Sequence, residues 1–126
     1  MFMFHFISRG DWSKTTNFLN RMKDLFKEVN FDKYGRTGVI ALESATPKDT
    51  GATANAWSYK IEKTGSQVSI VWENRNEPNG FPVAVMLQFG HGTGTGGYVR
   101  GIDYINPAMR PVFEKIADDL WREVTQ

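Results

Sequence analysis

The sequence predicts an α+β fold, in which helices pack on one face of a small antiparallel β-sheet. Apolar residues recur at helical spacing near the start and at the end of the chain, and at a strand-like period of two in the middle. Helical and strand segments are separated along the chain rather than interleaved as βαβ units. We expect two N-terminal helices, a central hairpin and strand, and a C-terminal helix. The 126 residues, 40% of them hydrophobic, suffice for a single domain over 1–126.

The first helix is predicted over residues 12–29, with Asp11 as its N-cap. Its inward face follows the i, i+3, i+4, i+7 spacing and comprises Trp12, Phe18, Leu19, Met22, Leu25, Phe26 and Val29. This spacing is typical of one buried helix face.

A second helix is predicted from a cap at Asp32 to about Ala45. Pro47 ends it, because the residue before a proline is pushed out of the helical region. Gly35 and Gly38 each cost about 1 kcal/mol against alanine inside a helix. Glycines at this spacing let another backbone approach closely.

The period then changes to two. Apolar residues alternate with polar ones over 57–62 and, less cleanly, over 68–73, with a turn signal at 64–66. This pattern predicts an antiparallel hairpin with one face on the core. After a polar loop, residues 81–89 form a continuous apolar run that fits a buried strand or a short helix.

The closing helix carries one apolar stripe: Met109, Val112, Phe113, Ile116, Ala117, Leu120, Trp121 and Val124. Asn106 suits its N-cap and Pro107 its first helical position. Pro111 lacks the N–H that a helix interior needs, so the regular part is predicted to begin near Arg110.

Charge and composition exclude several classes of function. The 15 Lys and Arg against 14 Asp and Glu give a net charge of +1, so no bulk attraction to nucleic acid or anionic lipid is expected. The chain has no cysteine, which excludes a disulfide framework and a cysteine nucleophile. The apolar residues 1–7 lack a basic region and are too short for a signal sequence or a membrane span.

The sequence offers no convincing catalytic, cofactor or metal site, and we expect no enzyme. His91, Gly92 and Thr93 resemble the histidine motif of subtilisin-like proteases, but no serine lies in a glycine-rich nucleophile elbow. Residues 92–97 spell a GxGxxG motif without the helix that would hold a pyrophosphate behind it. The two histidines are far apart in sequence and lack a paired carboxylate pattern.

The glycine-rich segment 90–101 is the strongest functional candidate, since it holds six of the 12 glycines. Arg100 is the only formal charge between Pro78 and Ile102. A long loop without structure of its own is usually functional or disordered. We favour an assembly arm over about 90–104, above a free surface loop or a ligand loop. Its candidate interface residues are Phe89, Gly90, His91, Gly94, Gly97, Tyr98, Arg100 and Tyr104.

Three short motifs in fixed order carry a resemblance to a known family: Thr46-Pro47-Lys48-Asp49-Thr50-Gly51, Leu87-Gln88-Phe89-Gly90 and Tyr104-Ile105-Asn106-Pro107-Ala108. With the helices between them, they resemble the tail-completion (neck) family of long-tailed double-stranded DNA phages. This is the head–tail joining group related to lambda minor tail protein Z. The resemblance covers roughly residues 12–125. The family often carries glutamate where Gln88 stands.

The resemblance implies a non-enzymatic structural virion protein, assembled in the host cytoplasm and located in the phage neck. It implies a ring of identical subunits, sixfold in the family, between the head connector and the tail-terminator or tail-tube proteins. No membrane is involved, and DNA at most passes through the lumen. A ring needs two different complementary patches on each subunit. We expect these in the arm and in a basic first-helix region facing the acid-rich closing helix (Glu114, Asp118, Asp119 and Glu123).

The turn formed by Pro47, Asp49, Thr50 and Gly51 is predicted to be architectural. The Asp49 carboxylate would accept backbone N–H groups as an N-cap or Asx-turn, assisted by Thr50, and Gly51 supplies a conformation that other residues avoid. Such a turn sets the angle between the helical half and the hairpin.

A nucleic-acid-associated module is the alternative function. Basic residues outnumber acidic ones between Arg9 and Arg36, by seven to four. In that reading the phosphate-facing side chains are Arg21, Lys23, Lys27 and Arg36. Phosphate binding would weaken steeply with salt.

Overall fold

The computed structural model describes residues 3–8, 20, 24–25, 28–48, 51–65 and 67–125. It shows a small α+β fold, as predicted. The elements are β1 (Met3–Ser8), α1 (Asp32–Ala45), β2 (Trp57–Thr64), β3 (Gln67–Asn74), α2 (Val83–Phe89), β4 (Gly90–Gly92), β5 (Tyr98–Arg100) and α3 (Ile105–Thr125).

The main sheet has the strand order β1-β3-β2 and is antiparallel throughout. The predicted hairpin is confirmed as β2 and β3, with Tyr59 opposite Trp72. Strand β1 was not predicted, because an unbroken apolar run has no period and its partner lies far along the chain. It makes β3 the central strand. Ser69 and Val71, which face away from the Trp72 side, are buried too, so both faces of β3 are covered, which explains the unclean alternation over 68–73.

Helix α1 begins at Asp32 and ends at Ala45, as predicted, but Phe31 rather than Asp32 holds the N-cap position. The Asp32 N–H is satisfied by the Asn30 side chain at 3.1 Å. The Asp32 carboxylate accepts a hydrogen bond from the Tyr59 hydroxyl at 2.9 Å, which ties the helix to β2.

The predicted first helix, 12–29, lies mostly outside the described residues. Positions 20, 24, 25 and 28 are helical, and the Val29 N–H donates to the Leu25 carbonyl at 2.8 Å. Leu25 and Val29 are partly buried and pack against the core. Leu25 and Val29, two of the predicted inward positions, therefore face the core.

The apolar run 81–89 contains a short helix, α2, and the expectation of a third core strand after the hairpin was wrong. Pro82 precedes the helix in an extended conformation. Ala84 and Gln88 are the buried positions, four residues apart, so one face of a helix is what packs here. A seven-residue apolar segment does not reveal this from its own period.

Helix α3 buries one continuous stripe: Ile105, Met109, Val112, Ile116, Leu120 and Val124. The helix already begins at Ile105 and continues through Pro111, so the expected start of its regular part near Arg110 was wrong. Helix α3 packs against α1, and both close the core over the sheet.

The glycines of α1 admit aromatic side chains rather than another backbone. A methyl group at Gly38 would overlap the Trp72 indole, and one at Gly35 would overlap the Tyr59 ring. The fully buried Trp72 donates its indole N–H to the Gly35 carbonyl at 2.9 Å. Its ring meets Phe113 of α3 at 6.1 Å between centroids. The Trp72 indole of β3 therefore contacts both α1 and α3 and joins them to the sheet.

A second tie joins α1 to α3. The Tyr34 hydroxyl donates to the Asp119 carboxylate at 2.9 Å, and Lys115 lies 3.3 Å from the same oxygen. Burial and this hydrogen bond raise the pKa of Tyr34 to about 12. The same hydrogen bond, with Lys115 and Arg122, lowers the pKa of Asp119. The Asp119 carboxylate is therefore already bound by Tyr34 and Lys115 of the same chain.

We expect Tyr34→Phe to destabilise the protein at neutral pH. The Asp119 pKa is lower in the folded than in the unfolded state, so its stabilising effect is complete above the unfolded value and is lost as pH falls through the folded value. The difference between wild type and variant should therefore shrink on acidification below about pH 4. Urea unfolding of both proteins from pH 7 to 3 measures this. A difference that stays constant over this range would contradict the assignment.

Candidate assembly surface

The glycine-rich segment has structure of its own and is not a free irregular loop. Strands β4 and β5 form a separate two-stranded antiparallel sheet, with His91 opposite Val99. In the turn between them, the Thr93 N–H donates to the Gly97 carbonyl at 3.1 Å, and the Gly97 N–H donates to the Thr93 hydroxyl at 3.1 Å. Gly94 and Gly96 have φ of +79° and +91°, a region that favours glycine. The predicted arm is therefore a hairpin.

The base of this hairpin is tightly joined to α2. A Cβ on Gly90 would lie 2.6 Å from the Val99 carbonyl oxygen, and one on Gly101 would lie 2.5 Å from the Gln88 carbonyl oxygen. The Ile102 N–H donates to the Leu87 carbonyl at 2.9 Å. Both ends of the hairpin thus leave the same point of the fold, where only glycine fits.

Gln88 caps the start of α3 from outside that helix. The first four N–H positions of a helix have no partner within it. Here the Gln88 side-chain oxygen accepts from Tyr104 N and Ile105 N, each at 3.0 Å. Asp103 accepts from Asn106 N at 3.4 Å, and Pro107 has no N–H to satisfy. At the first four N–H positions of α3, every N–H that is present therefore has an acceptor.

This arrangement corrects the predicted helix start. Asn106 and Pro107 are the second and third helical residues rather than N-cap and first. The capping carboxylate is Asp103, which also accepts from the Gln88 amide at 2.7 Å. That hydrogen bond, with those from Asn106, lowers the pKa of Asp103. A closed polar network therefore joins α2, the hairpin base and α3.

Tyr104, predicted as part of the arm, lies in the core. It is buried, and its hydroxyl donates to the Ala84 carbonyl at 2.8 Å. Burial raises the pKa of Tyr104 to about 12. Its side chain fixes α2 against the start of α3 and is not available to another molecule.

Four other apolar side chains of this region are exposed and are named here the hairpin patch: Phe89 at 63%, Tyr98 at 68%, Val99 at 46% and Ile102 at 62%. The Tyr98 hydroxyl donates to the Phe89 carbonyl at 3.0 Å, which holds that ring against the hairpin base. Arg100 is exposed beside them. The half-buried His91 has an Nδ1 atom with no hydrogen-bond partner among the described residues.

The predicted architectural turn is described only in part, because Asp49 and Thr50 lie outside the described residues. Gly51 has φ of +82°, as expected for a position that favours glycine. The sequence missed Thr46, which is buried and accepts the Trp57 indole N–H at 2.8 Å. The Thr46 side chain thus links the end of α1 to the start of β2.

A second exposed apolar surface lies between α1 and β2. Val39, Ile40, Trp57 and Tyr59, with Arg36 and Ser58 at its margin, line an open groove of about 350 Å³. The Ile40 side chain is 63% exposed there. We call this surface the α1–β2 groove. Sequence reasoning missed it because Ile40 lies beside the buried stripe of α1, and only its position over the sheet edge makes it part of a groove.

The alternative nucleic-acid surface is described only in part. Arg36 is exposed, whereas Arg21, Lys23 and Lys27 lie outside the described residues. Within the described ranges, no three histidine and carboxylate side chains come together as metal ligands. None of the helices in the described part of the chain combines the length and the apolar character that a bilayer crossing requires.

Comparison with known proteins adds no assignment. No protein family, curated protein or solved structure matches this chain.

Proposed function

We propose that this chain is a structural virion protein, a subunit of a ring at the head–tail junction of a long-tailed phage. It works by fitting against copies of itself and against neighbouring connector and tail proteins, and it transforms no substrate. The resemblance of its three motifs suggests the family. The observation that carries the proposal is the hairpin patch, presented on a hairpin whose base is fixed to the fold.

An exposed apolar patch of this kind supports a binding role. Exposed apolar side chains grouped in one region of a monomer often mark an interaction site. Phe89, Tyr98, Val99 and Ile102 all lie on or beside the β4–β5 hairpin, with Tyr98 and Val99 on its opposite faces. The patch is also preorganised, because Gly90 and Gly101 join its base to α2 and the Gln88 network joins it to α3. A rigid binding element loses little conformational entropy on association. Both features suit a part that must fit neighbours in an assembly.

We expect Val99→Asp to leave the domain folded but to prevent joining of heads and tails. Exposed substitutions usually change stability by less than about 0.5 kcal/mol, whereas a carboxylate in an apolar contact loses its hydration. In the phage genome that encodes the chain, the variant should yield separate heads and tails in electron micrographs and at least a hundredfold fewer infectious particles, on the order of 3 kcal/mol in contact energy.

Thr95→Asp, at the exposed hairpin tip outside the patch, is the matched control. It adds the same charge and should give normal particles. Circular dichroism and urea unfolding confirm that both variants are folded. Normal infectious particles from Val99→Asp would contradict the proposal.

A further inference from the structure

Strand β2 has an open edge that the main sheet does not use. In the strand order β1-β3-β2, β2 pairs with β3 alone among the described strands. Alternate residues of an edge strand point their N–H and C=O groups away from the sheet, where another strand can pair with them. The α1–β2 groove runs beside this edge, since Trp57, Ser58 and Tyr59 line it together with α1. Backbone pairing groups and an apolar recess are thus adjacent.

We propose that the α1–β2 groove and the open edge of β2 receive the β4–β5 hairpin of a second copy of this chain. The inference rests on the proposed ring and names its subunit contact. Docking of an extended segment on a sheet edge uses main-chain hydrogen bonds for affinity and side-chain pockets for specificity. Here Val99 and its neighbours in the hairpin patch fill the groove beside Ile40.

The hairpin patch and the α1–β2 groove are both exposed in the single chain, so neither covers the other there. Phe89, Tyr98 and Ile102 project from one part of the fold, and Ile40 is exposed in a recess elsewhere. A contact of hairpin on hairpin would leave the groove uncovered, whereas hairpin in groove covers both surfaces at once. Such a contact joins two different patches, so it repeats from copy to copy and closes into a ring when the rotation allows.

The available area suits a specific contact. A whole aromatic side chain buries about 150–250 Å². Phe89 and Tyr98, at 63% and 68% exposure, therefore offer roughly 200–330 Å² before Val99 and Ile102 are added. The smallest specific interfaces bury about 1,000 Å² in total, or half of that on each partner. The hairpin patch thus matches what one side of such a contact needs.

Engineered cysteines test the contact directly, because the chain has none of its own. Val99→Cys and Ile40→Cys are made as separate proteins, mixed at high concentration and oxidised. We expect a disulfide-linked heterodimer, formed roughly tenfold faster than with the control, since docking raises the local thiol concentration. The control pairs Val99→Cys with Trp121→Cys, because Trp121 on α3 is 64% exposed, like Ile40 at 63%, but lies outside the groove.

Equal cross-linking to Ile40→Cys and Trp121→Cys, or no link to either, would overturn the inference. Light scattering on the wild-type chain separates this failure from that of the proposed function. Higher-order assemblies that form without the Val99–Ile40 link would refute only this contact. The proposed ring would then still stand. A single-chain mass at every concentration, together with normal particles from Val99→Asp, would refute the proposed function as well.

Discussion

Replacing Gly38 by alanine should lower the free energy of unfolding by about 2–3 kcal/mol, although alanine is the better helix former by about 1 kcal/mol. The added methyl group would overlap the Trp72 indole. That ring cannot move away, since it is fully buried and its N–H is bonded to the Gly35 carbonyl. The helix must therefore shift away from the sheet, which weakens the contacts of α1 with β2 and β3.

Ser44→Ala on the exposed side of the same helix is the control. It makes a similar propensity change without a contact and should alter stability by less than about 0.5 kcal/mol. Urea unfolding followed by tryptophan fluorescence and by circular dichroism measures both variants. A Gly38→Ala protein as stable as wild type would show that the indole does not fill this space.

Replacing Gln88 by methionine should destabilise the protein by about 2–4 kcal/mol, since each buried polar group left unpaired costs about 1–3 kcal/mol. Methionine keeps the length and apolar volume of the side chain. It leaves the N–H groups of Tyr104 and Ile105 without their acceptor and removes the amide that donates to Asp103. Loosening of the hairpin base should follow, measured as faster amide hydrogen exchange at Ile102.

Gln88→Glu separates the two parts of this network. A carboxylate still accepts both helix N–H groups, but it faces Asp103 across the 2.7 Å contact now made by the amide. Two adjacent carboxylates raise the pKa of the pair in the folded state, so the protonated form is favoured. Stability relative to wild type should be greatest below about pH 4, where the unfolded carboxyls are also protonated, and should fall as pH rises to 7. A stability difference that does not depend on pH would contradict the contact.

The sequence predicted those elements that have a clear period. Helix α1, strand β2 and helix α3 bury one face each, so their apolar spacing reports their conformation. Strand β1 and helix α2 are short apolar runs whose type depends on what lies next to them. The N-cap of α3 was placed two residues too late. Asp103 and Asn106 both have side chains that suit a cap, and only the position of Gln88 distinguishes them.

For the candidate surface, the sequence indicated a segment but not its conformation. The six glycines and the lone Arg100 indicated a segment of interest, but they did not establish a hairpin, because the strands are three residues each. Tyr104 was grouped with the arm because it belongs to the apolar residues that end the glycine-rich stretch, whereas its hydroxyl bonds to the Ala84 carbonyl in the core. The α1–β2 groove is lined by residues of two elements, and no pattern within one element predicts that they lie together.

The pairing of β1 with β3 has a consequence for the order of folding. Met3 lies opposite Glu73, so β1 leaves the ribosome well before β3 and must wait for it before it gains its partner. Contacts between such distant residues form slowly, because the intervening chain must first be brought together. The local β2–β3 hairpin should therefore nucleate the sheet, and the amino-terminal strand should add to it as a late kinetic step.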